Sequence, residues 1–422
     1  MNPIVRAVTV LLGPVLLAGA ALAADIRVEP GPGALVRAVG LARPGDRLLL
    51  GEGTYRGGLV LTRPVKIAGG GKVHVAGTGT GSVITIDAPD VVIEGLKLTG
   101  SGTSHETIDS AVRMTRKADR AIVRDNRIED NLYGVDIHGA RDALVEGNTI
   151  IGGSDRLMNR RGNGVYVWNA PGATVTGNTI RQGRDGIFVN TSRKNTFTNN
   201  RFENLRFAIH YMNADDSTVS GNVSIGNHIG YAIMFSKRVT IRDNISLNDR
   251  DHGVMLNYAN NARIEGNAVL GGGEKCLFVY NANKNLIMGN RIEGCEIGIH
   301  FTGGSARNEI SGNAFIGNRT QIKFVSTRDH VWSGNYWSDH AAYDVNGDGI
   351  ADQAFRPNDT MDQVIWTQPS AKLLLGSPAV QLVRWAQSAF PALLPGGIVD
   401  DRPLMKPHEL PETARNWKAS LQ

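Results

Sequence analysis

Val145-Glu-Gly-Asn-Thr-Ile150 decides the fold of this chain. Val145 and Ile150 are both apolar and lie five positions apart. A straight strand alternates faces with period two, so two such residues would point to opposite sides. For both to reach a core, the backbone must bend between them, at Gly147-Asn148. The phrase returns along the chain, centred on Asn126, Asn148, Asn178, Asn200, Asn222, Asn244, Asn267, Asn290, Asn313 and Asn335, with steps of 22, 30, 22, 22, 22, 23, 23, 23 and 22 residues. Each asparagine follows a Gly, Asp or Asn, the types that tolerate the left-handed backbone of a sharp bend. A fixed period of this length marks a solenoid. Asparagines stacked about 4.8 Å apart can hydrogen-bond along the stack.

A second phrase follows each asparagine, as in Gly134-Val-Asp-Ile-His138, Gly186-Ile-Phe-Val-Asn190, Gly253-Val-Met-Leu-Asn257 and Gly298-Ile-His-Phe-Thr302. Its alternation sends Val135/Ile137, Ile187/Val189, Ile209/Tyr211, Ile233/Phe235, Val254/Leu256 and Leu277/Val279 into a core. The expected fold is all-β: a single-stranded, right-handed parallel β-helix, the hand that parallel crossovers favour. A short N-terminal capping helix and a helical C-terminal extension complete it.

The 422 residues divide into a signal peptide (1–23), the coil (24–340), a loop segment closing it (341–366) and an apolar tail (367–422). Arg6, the apolar run Ala7 to Leu22 and Ala21-Leu22-Ala23 have the order of a cleaved secretory signal; an uncleaved anchor is the alternative. The net charge of +5 is spread along the chain without a basic stripe, which argues against nucleic acid. The two cysteines, Cys276 and Cys295, fall on neighbouring turns. Either a disulfide or two buried thiols is compatible with that placement.

Gly33 to Leu41 has helical spacing and suits a lid on the N-terminal end of the core. Insertions gather between the asparagine and the second phrase: a large one from Gly152 to Arg161, and smaller ones near His228 and His252. Loops gathered on one side of a solenoid usually border its binding face.

The outward positions of the second phrase form two columns. One runs Arg113, Asp136, Tyr166, Phe188, His210, Met234, Met255, Phe278, His300, Lys323. The other runs Thr115, His138, Trp168, Asn190, Met212, Ser236, Asn257, Tyr280, Thr302. This predicts a long exposed apolar stripe, with His138, Trp168, Phe188, Phe278, Tyr280 and His300 as docking residues. Its middle gathers His210, Met212, His228, Met234, His252 and Met255. Thioether with imidazole suits Cu(I), and His210, Met212, Met234 and Met255 are the candidate copper ligands. A docking strip with adaptable methionines is the competing explanation.

After Gly334-Asn-Tyr-Trp-Ser-Asp339 comes Asp344-Val-Asn-Gly-Asp-Gly-Ile-Ala-Asp352. Asp344, Asn346, Asp348, Ile350 and Asp352 match most of a Ca²⁺ loop, though Phe355 stands where the twelfth-position glutamate belongs. Ala371 to Phe390 is helical in spacing and broken at Pro378. Leu373, Leu382 and Trp385 make it a candidate for docking on a membrane partner. Pro391 to Met405 reads as an extended tail too apolar to float free.

The coil phrases, Gly334-Asn-Tyr-Trp-Ser-Asp339, the loop 344–352, Arg384-Trp-Ala-Gln and Pro395-Gly-Gly-Ile-Val-Asp-Asp-Arg-Pro-Leu-Met together resemble the NosD family. The likeness covers the whole mature chain. It implies a non-catalytic periplasmic protein that works at the inner membrane with the ATPase NosF and the membrane protein NosY. It also implies copper received from a NosL-like chaperone, for maturation of nitrous-oxide reductase. The chain has no Gly-x-x-x-x-Gly-Lys-[Ser/Thr] of its own. The alternative is a polysaccharide lyase, epimerase or hydrolase using Asp136 and His138. Against hydrolysis, the outward columns offer one carboxylate where a pair is needed.

Overall fold

The computed structural model describes residues 23–325, 329–390, 393, 397–410 and 414–415. The expected signal peptide lies outside them, apart from its last residue. Every named strand pairing is parallel, and the chain coils into a β-solenoid of about 13 turns.

Each asparagine bend does what its neighbours in sequence predict. The residue before it has positive φ in all ten copies, from Asp125 (φ 55°) to Gly334 (φ 69°). The asparagine turns inward and is buried. Its Nδ2 donates to the Oδ1 of the next, as in Asn148 to Asn178 (3.0 Å) and Asn222 to Asn244 (3.0 Å). The same Oδ1 also accepts the donating asparagine's own backbone N–H, as Asn244 does from Asn222, and Nδ2 also reaches a carbonyl of the previous turn, Phe197 O for Asn222 at 2.8 Å. Buried bends are thereby satisfied without water.

Short strands on either side of the bend, such as Thr218–Ser220 and Val223–Ile225, make two faces. The third face is a separate wall of twelve strands, from Leu59–Leu61 to Thr320–Phe324. Inward residues of all three faces form one continuous core. Helix α1 (Ala34–Leu41) covers the N-terminal end and buries Leu35, as its spacing predicts.

Cys276 and Cys295 form a disulfide with Cα atoms 5.7 Å apart. Cys276 lies inside a wall strand and Cys295 in the bend leading to the next one, so the turn of the chain closes the gap between their places in the coil.

The C-terminal part adds a helix the spacing did not show, α2 (Thr360–Thr367), capped by Asp359. A 3₁₀ turn follows at Pro369–Leu374, then α3 (Pro378–Ala389), which begins at the expected break with Ser377 as its cap. The tail then returns to the coil. Leu410 and Ala414 pack on Ile245, Leu247, Ala268 and Leu270, on the outside of the solenoid.

Candidate functional site: a histidine and three methionines on the wall

Strand pairing fixes the wall columns. The first runs Arg113, Asp136, Tyr166, Phe188, His210, Ala232, Met255, Phe278, His300, Lys323. The second runs His138, Trp168, Asn190, Met212, Met234, Asn257, Tyr280, Thr302.

One strand therefore sits two residues from its expected register. Met234 belongs to the second column, beside Met212, and Ala232 takes its place in the first. Tyr231 fills the core, whereas Phe235 stands at the corner, 46% exposed with φ 51°; Ser236 is buried. Gly230 occupies the position that Gly186, Ala208, Gly253 and Cys276 hold on the other turns. A Cβ there would come within 2.5 Å of Gly253 O. No residue is inserted near His228, since Phe207 pairs with Ile229 at the usual step of 22. The extra residue lies before His252, which pairs with Ile229.

The corrected register tightens the soft-donor group. Met212 and Met234 are direct neighbours on adjacent strands, about 4.8 Å apart along the stack. His210 and Met255 flank Ala232 on either side. Ala232 points outward yet has no exposed surface, so larger neighbours close over the smallest residue of the column.

His210 is only 7% exposed. Its ring stacks on Phe188 at 4.7 Å and meets Phe207 edge-on at 4.9 Å. Nδ1 lies 3.0 Å from Asp185 Oδ2. Arg206 grips the same carboxylate through two bonds of 2.8 and 2.6 Å. Burial pushes the Asp185 carboxyl up, but the bonds and charges of His210 and Arg206 outweigh it and hold the group below the ordinary range. Nε2 of His210 is sealed from solvent and has no hydrogen-bond partner among the described residues. Sequence reasoning missed Asp185 and Arg206, because 21 residues separate them and only the coil joins them.

His228 and His252 do not join this group. They stand at the start of the wall strands, each beside Asp251: His228 Nδ1 is 3.4 Å from its carboxylate, His252 Nδ1 2.6 Å from its carbonyl. Among the described residues no three His, Cys, Asp or Glu gather as metal ligands. The clustered donors are imidazole and thioether, a set that suits a soft cation and fits Cu(I).

The rest of the wall is less exposed than a free apolar stripe. His138 stacks on Trp168 (4.2 Å), Tyr166 on Phe188 (5.4 Å), and Phe278 lies between His252 (5.0 Å) and His300 (5.5 Å). Most are half-buried by these stacks, and Tyr280 alone of the expected docking set on the wall counts as exposed. Burial, with Lys323 and Lys275 nearby, takes His300 down to about 4. Asp136 is fully buried with neither oxygen hydrogen-bonded, and burial raises it to about 7 despite Arg113 Nε at 3.6 Å.

In the loop 344–352 the oxygens face their own backbone. Asp344 accepts from Gly347 and Gly349 N–H, Asn346 from Asp348, Asp348 from Ile350 and Asp352 from Val345. Phe355 packs on Trp337 at 5.2 Å. On the C-terminal elements Leu373, Leu382 and Trp385 are 90, 63 and 62% exposed. No helix among the described residues is long and apolar enough to cross a membrane.

Coil and wall define a parallel β-helix protein with a group of soft donors on its twelve-stranded wall. The fold alone is shared with an exopolygalacturonase of family 28 from Yersinia enterocolitica: TM-score 0.58 at 12% identity, over 74% of this chain and 78% of that one. The sequence is more specific. Residues 149–342 match the family described as periplasmic copper-binding protein (NosD). Probable ABC transporter binding proteins NosD of Stutzerimonas stutzeri and Pseudomonas aeruginosa are 38 and 36% identical, over 86 and 91% of this chain and 87 and 92% of theirs. The chain belongs to the NosD family.

Proposed function

We propose that this protein handles copper in the periplasm as the binding protein of an ABC-type complex at the inner membrane, for maturation of nitrous-oxide reductase. The observation carrying this reading is the sealed, unpartnered Nε2 of His210 beside Met212, Met234 and Met255 around Ala232. A buried nitrogen left unpaired costs stability unless a ligand uses it. Thioethers hold Cu(I) without a fixed charge, so the ion can be passed on. The family description and the relatives' names support copper and the transporter complex.

A NosL-like chaperone would deliver the ion to the wall, where His138, Trp168, Phe188, Phe278, Tyr280 and His300 border the site. The membrane subunit of a NosF/NosY-like transporter would dock on Leu373, Leu382 and Trp385. Ca²⁺ at Asp344, Asn346, Asp348, Ile350 and Asp352 would brace the loop that joins coil and tail; a rise in melting temperature on adding Ca²⁺, absent in Asp344→Ala, tests that part.

Anaerobic Cu(I) titration of the mature chain against a Met212/Met234/Met255→Ala variant tests the copper reading. A weaker variant that also leaves the reductase short of copper supports it; unchanged affinity and loading defeat it. One observation favours the enzyme alternative: Asp136, raised to about 7 beside His138 and Arg113, has the poise of a general base. Product released from uronic-acid polymers, and lost in Asp136→Asn, would establish it.

A further inference from the structure

We propose that Asp185, backed by Arg206, is a positioning residue that holds His210 in the Nδ1–H tautomer and turns its Nε2 lone pair toward the Met212–Met234 edge of the wall, ready for a soft d¹⁰ cation such as Cu⁺ or Ag⁺. The inference rests on the copper reading of the same wall and says how one ligand is prepared.

The geometry follows from the coil. Asp185 pairs in register with Phe207, three residues before His210, so it stands on the strand-start side of the ring. An ionised carboxylate has no proton to give, so the 3.0 Å contact, closer than the 3.4 Å approach of Arg206 Nη2 to the same nitrogen, calls for a proton on Nδ1. The two ring nitrogens share the carbon Cε1 between them, and their in-plane bonding directions diverge. With Nδ1 held toward the strand start, Nε2 faces away from that side, beneath the surface, and Met212 follows two residues on while Met234 lies on the next strand. Phe188 and Phe207 pack the ring and prevent it from swinging away.

The energetics also speak for a ligand. Here one nitrogen is tied to the buried carboxylate of an ion pair, and the other is sealed with no partner among the described residues. Burying the Asp185 carboxylate is itself costly, with only the partly exposed Arg206 beside it. A carboxylate behind a metal-binding imidazole fixes its tautomer and strengthens it as a donor, and removing such a partner typically weakens metal binding about 10- to 100-fold.

The experiment is a double-mutant cycle on the mature protein, read by competition for Cu(I) with a chromogenic chelator. Asp185→Asn keeps the volume and guards against misfolding; Asp185→Ala removes the acceptor. Each should bind Cu(I) about 10- to 100-fold more weakly, and neither should cause further loss in a His210→Ala background. Nitrogen NMR of the metal-free protein should show the His210 proton on Nδ1 in the wild type and a mixture of tautomers in Asp185→Ala. Equal losses with and without His210, or a wild-type proton on Nε2, would overturn the proposal. Loss in His210→Ala but none in the Asp185 variants defeats this inference alone. No loss in His210→Ala defeats the copper role of His210 as well.

Discussion

Asp400 stands beyond Asn335 where an eleventh asparagine would be. Its Oδ2 accepts from Asn335 Nδ2 (3.0 Å), Asn335 N–H (2.9 Å) and Trp337 Nε1 (3.0 Å), while Oδ1 accepts from Gly334 N–H (3.0 Å). The tail thus ends the ladder with a group that only accepts, as the last rung needs. Replacing Asp400 by Ala would leave several buried donors unpaired, at a cost on the order of 3 kcal/mol. Asp400→Asn keeps an acceptor and should lose less. Urea unfolding of the two variants, with proteolysis of the tail, checks the order.

The buried carboxyl of Asp136 gives a pH signature. Its folded pKa, about 7, lies above the ordinary 3.8, so folding favours the protonated form. Its contribution is fully present below about pH 4 and is lost as pH rises through 7. Wild type should therefore lose stability relative to Asp136→Asn between pH 5 and 8, by about 2–4 kcal/mol. Asp249, raised to about 6 mainly by burial, acts with the same sign in both proteins and cancels in the comparison. Thermal melts of both proteins at the two pH values read the difference directly.

The Cys276–Cys295 bridge closes a short loop across two coils, with a sequence separation of 19. Reduction, or the double Cys→Ala variant, should cost about 3 kcal/mol. Denaturant unfolding with and without reductant measures it. Because both cysteines are buried, reduction should be slow in the folded protein.

Helix α3 offers a test of docking that spares the fold. Leu382 and Trp385 are largely exposed, so serine at both should change stability by less than about 0.5 kcal/mol. Under the proposed reading, the same variant should fail to co-purify with the membrane subunit. Retention of the complex would rule out this face as the contact.

The coil was readable because its signals are local: a left-handed residue, an inward asparagine and a return every 22 or 23 positions. The N-terminal cap and the break at Pro378 were readable for the same reason. The register of Ile229–Met234 was not, since Tyr231, Ile233 and Phe235 alternate equally well in either frame. The frame appears only in the pairing of whole strands, Phe207 with Ile229 and Ile229 with His252. Asp185 and Arg206 were hidden because their pairing exists only once one turn lies on the next. The disulfide was hidden because a corner, not a strand, supplies one of its ends.

The returning tail also has a mechanical meaning. A stack of near-identical turns can peel away from its free end one layer at a time. Here Leu404 is hydrogen-bonded at Asn335, while Ala414 rests on Ile245–Leu247, four layers below. Peeling the last layer therefore strips the clamp from those beneath it. These layers should come apart as a single block, giving the segment that joins the wall to the α3 face the stiffness of a beam.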